Sequence, residues 1–175
     1  IACYGIVHGL LANGVEIALI LPKNPGQPAY HTDSFANALE LLSIDRLSFS
    51  VTGIGSLLKP YMNEQSYAMQ LMTQEEPQEY GYGLLAEVKR YAAVAAKQAA
   101  RIDHDVIHAH DWLTILAGIE ARKISGKPLV FQIHALETDR SGEHLNQDIY
   151  NIERYGLHMA DHVIAVSKYK KNNII

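Results

Sequence analysis

Leu84, Leu85, Val88, Tyr91, Ala92, Ala95, Ala99 and Ile102 recur at helical spacing, and Lys89, Arg90, Lys97, Gln98 and Arg101 fall largely on the opposite face. That two-faced pattern predicts a long amphipathic helix. Its alanines favour the helix and let it pack closely. Beyond it, short apolar runs alternate with helical stretches. Val106–His108 reads as a strand and Leu113–Ile124 as a helix stopped by Ser125-Gly126. Leu129–Ile133 is a second strand, and a helix running to about Met159 leads into a third, His162–Val166. Ser167 suits the N-cap of a final helix. The order helix, strand, helix, strand, helix, strand, helix predicts an α/β fold with a Rossmann-like, doubly wound parallel sheet.

The pattern upstream is more broken. Ile1–Asn13 reads as a helix with Cys3, Ile6, Val7, Leu10 and Leu11 on one face, and Gly14 is placed to stop it. Val15–Leu21 is a nearly continuous apolar strand, of the kind covered on both faces in a parallel sheet. Asn24–Pro28 is a loop, Phe35–Ile44 a short helix and Arg46–Val51 a strand with one open face. Ile54–Thr73, interrupted by Gly55, Pro60 and Asn63, yields no clear element. The chain opens inside a helix and closes on a helix start, Ser167–Ile175. We therefore expect one domain cut from a longer protein, missing elements on both sides.

Composition narrows the picture modestly. A chain of 175 residues with 48% hydrophobic and 19% charged residues suits one soluble globular domain. A net charge of −4 gives no reason to expect nucleic acid or an anionic membrane as partner. The single Cys3 excludes an internal disulfide and fits a reducing compartment. With no bilayer-length apolar run and no signal peptide, the expectation is a cytoplasmic protein without integral membrane contact.

Candidate chemistry gathers where two predicted strands end. Asp105-Val-Ile-His-Ala-His-Asp-Trp112 and Phe131-Gln-Ile-His134 each run from apolar residues into a polar cluster. In an open parallel sheet, ligands bind outside the carboxyl ends of the strands. Strand alternation puts His108 and His110 on one face, a pair suited to a metal. A further ligand would have to come from His134 or Glu137, and no zinc or calcium signature supports it, so no metal is expected. Asp111, just before a helix, either caps backbone amides or faces a ligand. Trp112 either stacks on a sugar ring or belongs to the core. His134 is the stronger candidate, since an imidazole there can bind a hydroxyl or a phosphate. The loop behind it supplies Glu137, Asp139, Arg140 and Ser141; Asp139 with Arg140 reads equally as a structural ion pair. Phosphate-binding glycine motifs and a serine nucleophile elbow are absent.

These residues in this order carry a resemblance. Tyr82-Gly-Leu-Leu-Ala-Glu-Val-Lys-Arg-Tyr91, the His-Ala-His-Asp-Trp112 run, Ser125-Gly-Lys-Pro128, Ile133–Glu143, Asn151-Ile-Glu-Arg154 and Ala160–Ser167 resemble the N-terminal domain of family 4 glycosyltransferases. The similarity is nearest to their glycogen/starch-synthase-like branch. It is dense from about Tyr80 to Ile175 and looser before that.

The resemblance implies the N-terminal, acceptor-side half of a GT-B enzyme, whose own C-terminal domain holds the nucleotide-sugar. It implies retaining glucosyl transfer from a donor such as ADP-glucose or UDP-glucose to an α-glucan, without a metal or other cofactor. His134 matches the family's cleft histidine, and Asp111 the aspartate of its His-Asp-Trp segment; both are the catalytic candidates. Glu137, Asp139, Arg140, Trp112 and His110 are the candidates for substrate contact. The first strand with its glycine-rich loop, and the donor domain with its Glu-x7-Glu segment, lie outside residues 1–175. The isolated piece is therefore expected to be inactive, because the charges that stabilise the leaving diphosphate are not in it. The alternatives are a sugar-nucleotide epimerase of the same architecture and a non-catalytic carbohydrate-binding or regulatory domain.

Overall fold

The computed structural model describes residues 2–22, 49–142 and 144–174. The expected loop Asn24–Pro28, the expected helix Phe35–Ile44 and the side chain of Cys3 lie outside the described residues. The chain forms two compact units, Ile1–Leu57 and Leu58–Ile175. Among the described residues no helix is long and apolar enough to cross a membrane.

In the first unit, helix α1 (Ala2–Ala12) precedes strand β1 (Ile17–Leu21), which pairs in parallel with β2 (Phe49–Gly53). The expected apolar face of α1 is only partly buried: Val7 and Leu11 are inside, whereas Leu10 is 37% exposed. Gly14 follows with φ +76, the left-handed conformation expected of a helix stop. β1 was expected to be covered on both faces, yet Ala18 is exposed and its neighbours are only half-buried.

In the second unit the stretch that gave no element from sequence contains helix α2 (Glu64–Leu71). Its start is a capping box: Asn63 Oδ1 accepts from the Ser66 amide at 2.9 Å, and Ser66 Oγ accepts from the Asn63 amide at 3.0 Å. A 3₁₀ turn (Pro77–Glu79) then leads to α3 (Leu84–Ala99), the strongly amphipathic helix. Its buried stripe includes Leu84, Val88, Tyr91, Ala92 and Ala95 as expected, together with Glu87, which is fully buried. Glu87 accepts from the Gly81 amide at 2.8 Å and is held in bidentate fashion by Arg90 at 2.6 and 2.8 Å. The Tyr67 hydroxyl closes the same knot by donating to the Gly81 carbonyl at 2.6 Å. Burial, then the nearby Glu87 carboxylate, pushes the Tyr67 phenol well above its ordinary range, so it remains a donor.

β3 (Ile107–His110), α4 (Asp111–Ser125), β4 (Leu129–Ile133), the single turn α5 (Glu137–Arg140), α6 (Gln147–Met159), β5 (His162–Ala165) and α7 (Lys168–Ile174) complete the chain. The strands form one parallel sheet in the order β3-β4-β5, so the predicted parallel α/β architecture is present. Gly126, at φ +70, ends α4 in the left-handed conformation that favours glycine. Alternation along β3 and β4 turns Ile107, Ala109, Leu129 and Phe131 toward α4 and α6. Ala109, Leu129, Phe131 and Ile133 are core residues, packed with Ile115 and Ile119 of α4. α4 and α6 approach closely at Gly156, where a Cβ would meet Ile115 at 2.4 Å and the Phe131 ring at 3.0 Å. Asp161 ties the layers together: it accepts from the Leu129 amide and pairs with Arg122, both at 2.8 Å.

Candidate active site

β3 runs two residues further than the sequence pattern indicates. His108 and His110 therefore lie within the strand, on the face turned away from α4. The register pairs His110 with Gln132, so His134 extends past the end of β4 beside it. His108 and His110 stack with centroids 4.3 Å apart and an interplanar angle of 25°. His110 and His134 stand 5.7 Å apart at 17°, with His110 Nδ1 and His134 Nε2 separated by 3.4 Å. Three near-parallel imidazoles thus line one edge of the sheet.

Among the described residues no three histidine, cysteine, aspartate or glutamate side chains are arranged to hold a metal ion. Burial, followed by the adjoining His108 and His134 rings, lowers the His110 pKa to about 4. Burial likewise lowers His108, with a hydrogen bond to Gln132 acting in the opposite direction. Both are therefore neutral imidazoles near pH 7.

The low His110 pKa makes stability depend on pH. Between about 4 and the ordinary value of 6.5 the unfolded chain binds the extra proton and the folded chain does not. The contribution of His110 is therefore complete above the ordinary value and is lost as pH falls toward 4. Allowing for partial exposure, it is on the order of 2 kcal/mol. Urea denaturation at a series of pH values should show a shallower acid slope for His110→Gln; parallel slopes would refute the assignment.

Asp111 opens α4 with φ +55, a left-handed conformation that aspartate tolerates better than most side chains. There its Oδ1 accepts the backbone N–H of His134 at 2.8 Å. Of the two roles open to Asp111 from sequence, binding a backbone amide is thus occupied, and the amide is that of the site histidine. Thr114, which sequence reasoning passed over, holds the end of β3: its hydroxyl accepts from the His110 amide at 2.7 Å and donates to the His110 carbonyl at 2.6 Å.

The remaining candidates occupy different surroundings. Trp112 is 5% exposed and belongs to the interior. Glu137 is 4% exposed and accepts from Ser141, from the Asn146 amide at 3.1 Å and from Arg140 at 3.1 Å. Arg140 also donates to the Ala135 carbonyl and, at 2.7 Å, to Glu153. The suggested Asp139–Arg140 pair is replaced by two others, since Asp139 is bridged by Lys170 of α7. Burial raises the Asp139 carboxyl, but the Lys170 and Leu136 hydrogen bonds and the Lys170 and Arg140 charges together hold it below its ordinary value.

Glu153 is the buried participant that sequence reasoning missed. Burial raises its carboxyl above the ordinary range, although the Glu137 amide and Arg140 both favour the charged form. A signal was present: Ile149, Glu153 and Gly156 fall on one helical stripe, and all three are buried. A carboxylate on an otherwise apolar stripe needs an internal partner.

Two comparisons bear on this edge of the sheet. At 25% identity, the chain is similar to a protein of Methanocaldococcus jannaschii described as an uncharacterized glycosyltransferase, across 99% of the chain. It spans 37% of that relative's length. The family model described as Glycosyltransferase Family 4 matches residues 2–175, and the chain belongs to that family.

Proposed function

We propose that this chain is the acceptor-side domain of a retaining, nucleotide-sugar-dependent glycosyltransferase in which His134 faces the transferred sugar. The observation that carries the reading is the position of His134: it lies beyond the C-terminal end of β4, beside His110, with its amide fixed by Asp111. Carboxyl ends of parallel strands are where such folds bind ligands. The family membership supports sugar transfer over the epimerase alternative.

In front-side displacement the anomeric carbon develops positive charge as the diphosphate departs. The chain's own residues suit that step. His134 would hydrogen-bond a hydroxyl of the sugar and orient it. The neutral rings of His108 and His110 put no cation beside the developing charge, whereas imidazolium groups there would oppose it. Asp111 acts through the peptide of His134. Trp112 and Glu137 are committed to the interior, while Arg140 and Asp139, each partly exposed, are engaged by Glu153 and by Lys170. We assign donor binding and neutralisation of the leaving diphosphate to a C-terminal domain, so residues 1–175 alone should not transfer sugar. The acceptor is an α-glucan and the donor ADP-glucose or UDP-glucose, in a reducing, cytoplasmic setting that the single cysteine fits.

The test measures nucleoside diphosphate release by the full-length protein from each donor, with and without a malto-oligosaccharide and with a chelator present throughout. Acceptor-dependent release under chelation supports the reading. Loss of release on chelation, or release indifferent to the glucan, would overturn its metal-free and glucan parts respectively.

A further inference from the structure

The peptide that carries His134 is held from both sides. Asp111 takes its N–H, and the carbonyl of the next residue, Ala135, accepts from Arg140. Arg140 is oriented in turn by Glu153 Oε1 at 2.7 Å, while Glu153 Oε2 accepts the Glu137 amide at 2.8 Å. Glu153 therefore holds the turn after His134 by both its backbone and its guanidinium. Its side chain is 4% exposed and that of Glu137 5%, whereas Arg140 is 23% exposed.

Two buried carboxylates share one guanidinium. Such an arrangement is an expensive way to close a turn, because desolvating a carboxylate costs more than a neutral hydrogen bond returns. What it supplies instead is direction. The planar fork of Arg140 fixes the Ala135 carbonyl and the two carboxylates in one geometry.

We propose that Glu153 is a positioning residue for His134, setting the course of the Ala135–Ser141 turn through Arg140 and Glu137. The proposal rests on the assignment of His134 to the sugar site. Glu153 touches no substrate and acts only by fixing where the imidazole stands. A displacement of about 1 Å at a reacting group can cost on the order of a hundredfold in rate.

Glu153→Gln in the full-length protein should therefore lower kcat about tenfold or more while the KM for the nucleotide-sugar stays within about twofold. Arg140→Lys, which keeps the charge but loses the fork, should behave alike and provides the test if the first variant folds poorly. Ile152→Ala, on the same helix, trims apolar packing against the core and removes none of these hydrogen bonds. At equal folded fraction it should leave kcat unchanged. In NMR spectra, the ring resonances of His134 should shift in Glu153→Gln and Arg140→Lys and stay in place in Ile152→Ala.

Two results overturn the proposal: a kcat for both polar variants no lower than that of Ile152→Ala, or His134 resonances unmoved by either. His134→Ala, assayed alongside, separates the two levels. If it abolishes transfer while Glu153→Gln and Arg140→Lys do not impair it, only the positioning role falls. If His134→Ala leaves kcat intact, the assignment of His134 falls and the proposal with it.

Discussion

Replacing His134 with alanine in the full-length protein is expected to reduce kcat about a hundredfold, the order of loss when a reacting group is no longer held in orientation. The KM for the donor should change far less. The side chain is only half-buried and its ring meets His110 Nδ1 at the long distance of 3.4 Å, so the melting temperature should fall little. The backbone N–H that anchors the strand end to Asp111 survives the substitution. Steady-state kinetics and thermal melts on one preparation check both parts. A large loss of stability with kcat preserved in the folded fraction would make His134 a packing residue.

Gly81→Ala should have the largest effect on folding, about 3 kcal/mol or more. A Cβ at Gly81 would lie 2.2 Å from the Glu87 amide nitrogen and 2.6 Å from the Ala86 carbonyl carbon. Both are backbone atoms of α3 and cannot swing aside as a side-chain tip would. Overpacking usually costs about 1–3 kcal/mol. Here the required shift also disturbs hydrogen bonds at the Gly81 amide and carbonyl, the former to a carboxylate with no exposure of its own. Urea denaturation of Gly81→Ala against wild type measures the difference; a change below about 1 kcal/mol would show that the loop moves freely.

What the sequence revealed follows from the range of the interactions involved. β4 was expected at Leu129–Ile133 and stands there, because apolar residues covered by helices leave a continuous signature. α3 and α4 were legible for the same reason, with their ends displaced by a few residues. α2 was not: its start depends on an Asn63–Ser66 exchange of two hydrogen bonds, and its sequence carries little apolar periodicity. At the site, the strand-end location of His110, Asp111 and His134 could be read from order alone. Their partnerships could not, since the bond from Asp111 to the His134 amide crosses 23 positions and that from Arg140 to Glu153 crosses 13. The reassignment of Glu137 from solvent loop to interior has the same cause. A short polar stretch reads as a loop unless the buried charge that receives it is known.

The left-handed backbone at Asp111 also bears on which residues position 111 admits. Glycine adopts φ +55 without strain and asparagine with little, whereas valine, isoleucine and threonine do so only at considerable cost. Of the tolerated substitutes, only asparagine keeps an oxygen that reaches the His134 amide; glycine keeps the turn and releases the histidine. Folding and chemistry thus select different short alphabets at one codon, and a lineage that drifted to glycine there would retain the domain while losing control of its histidine.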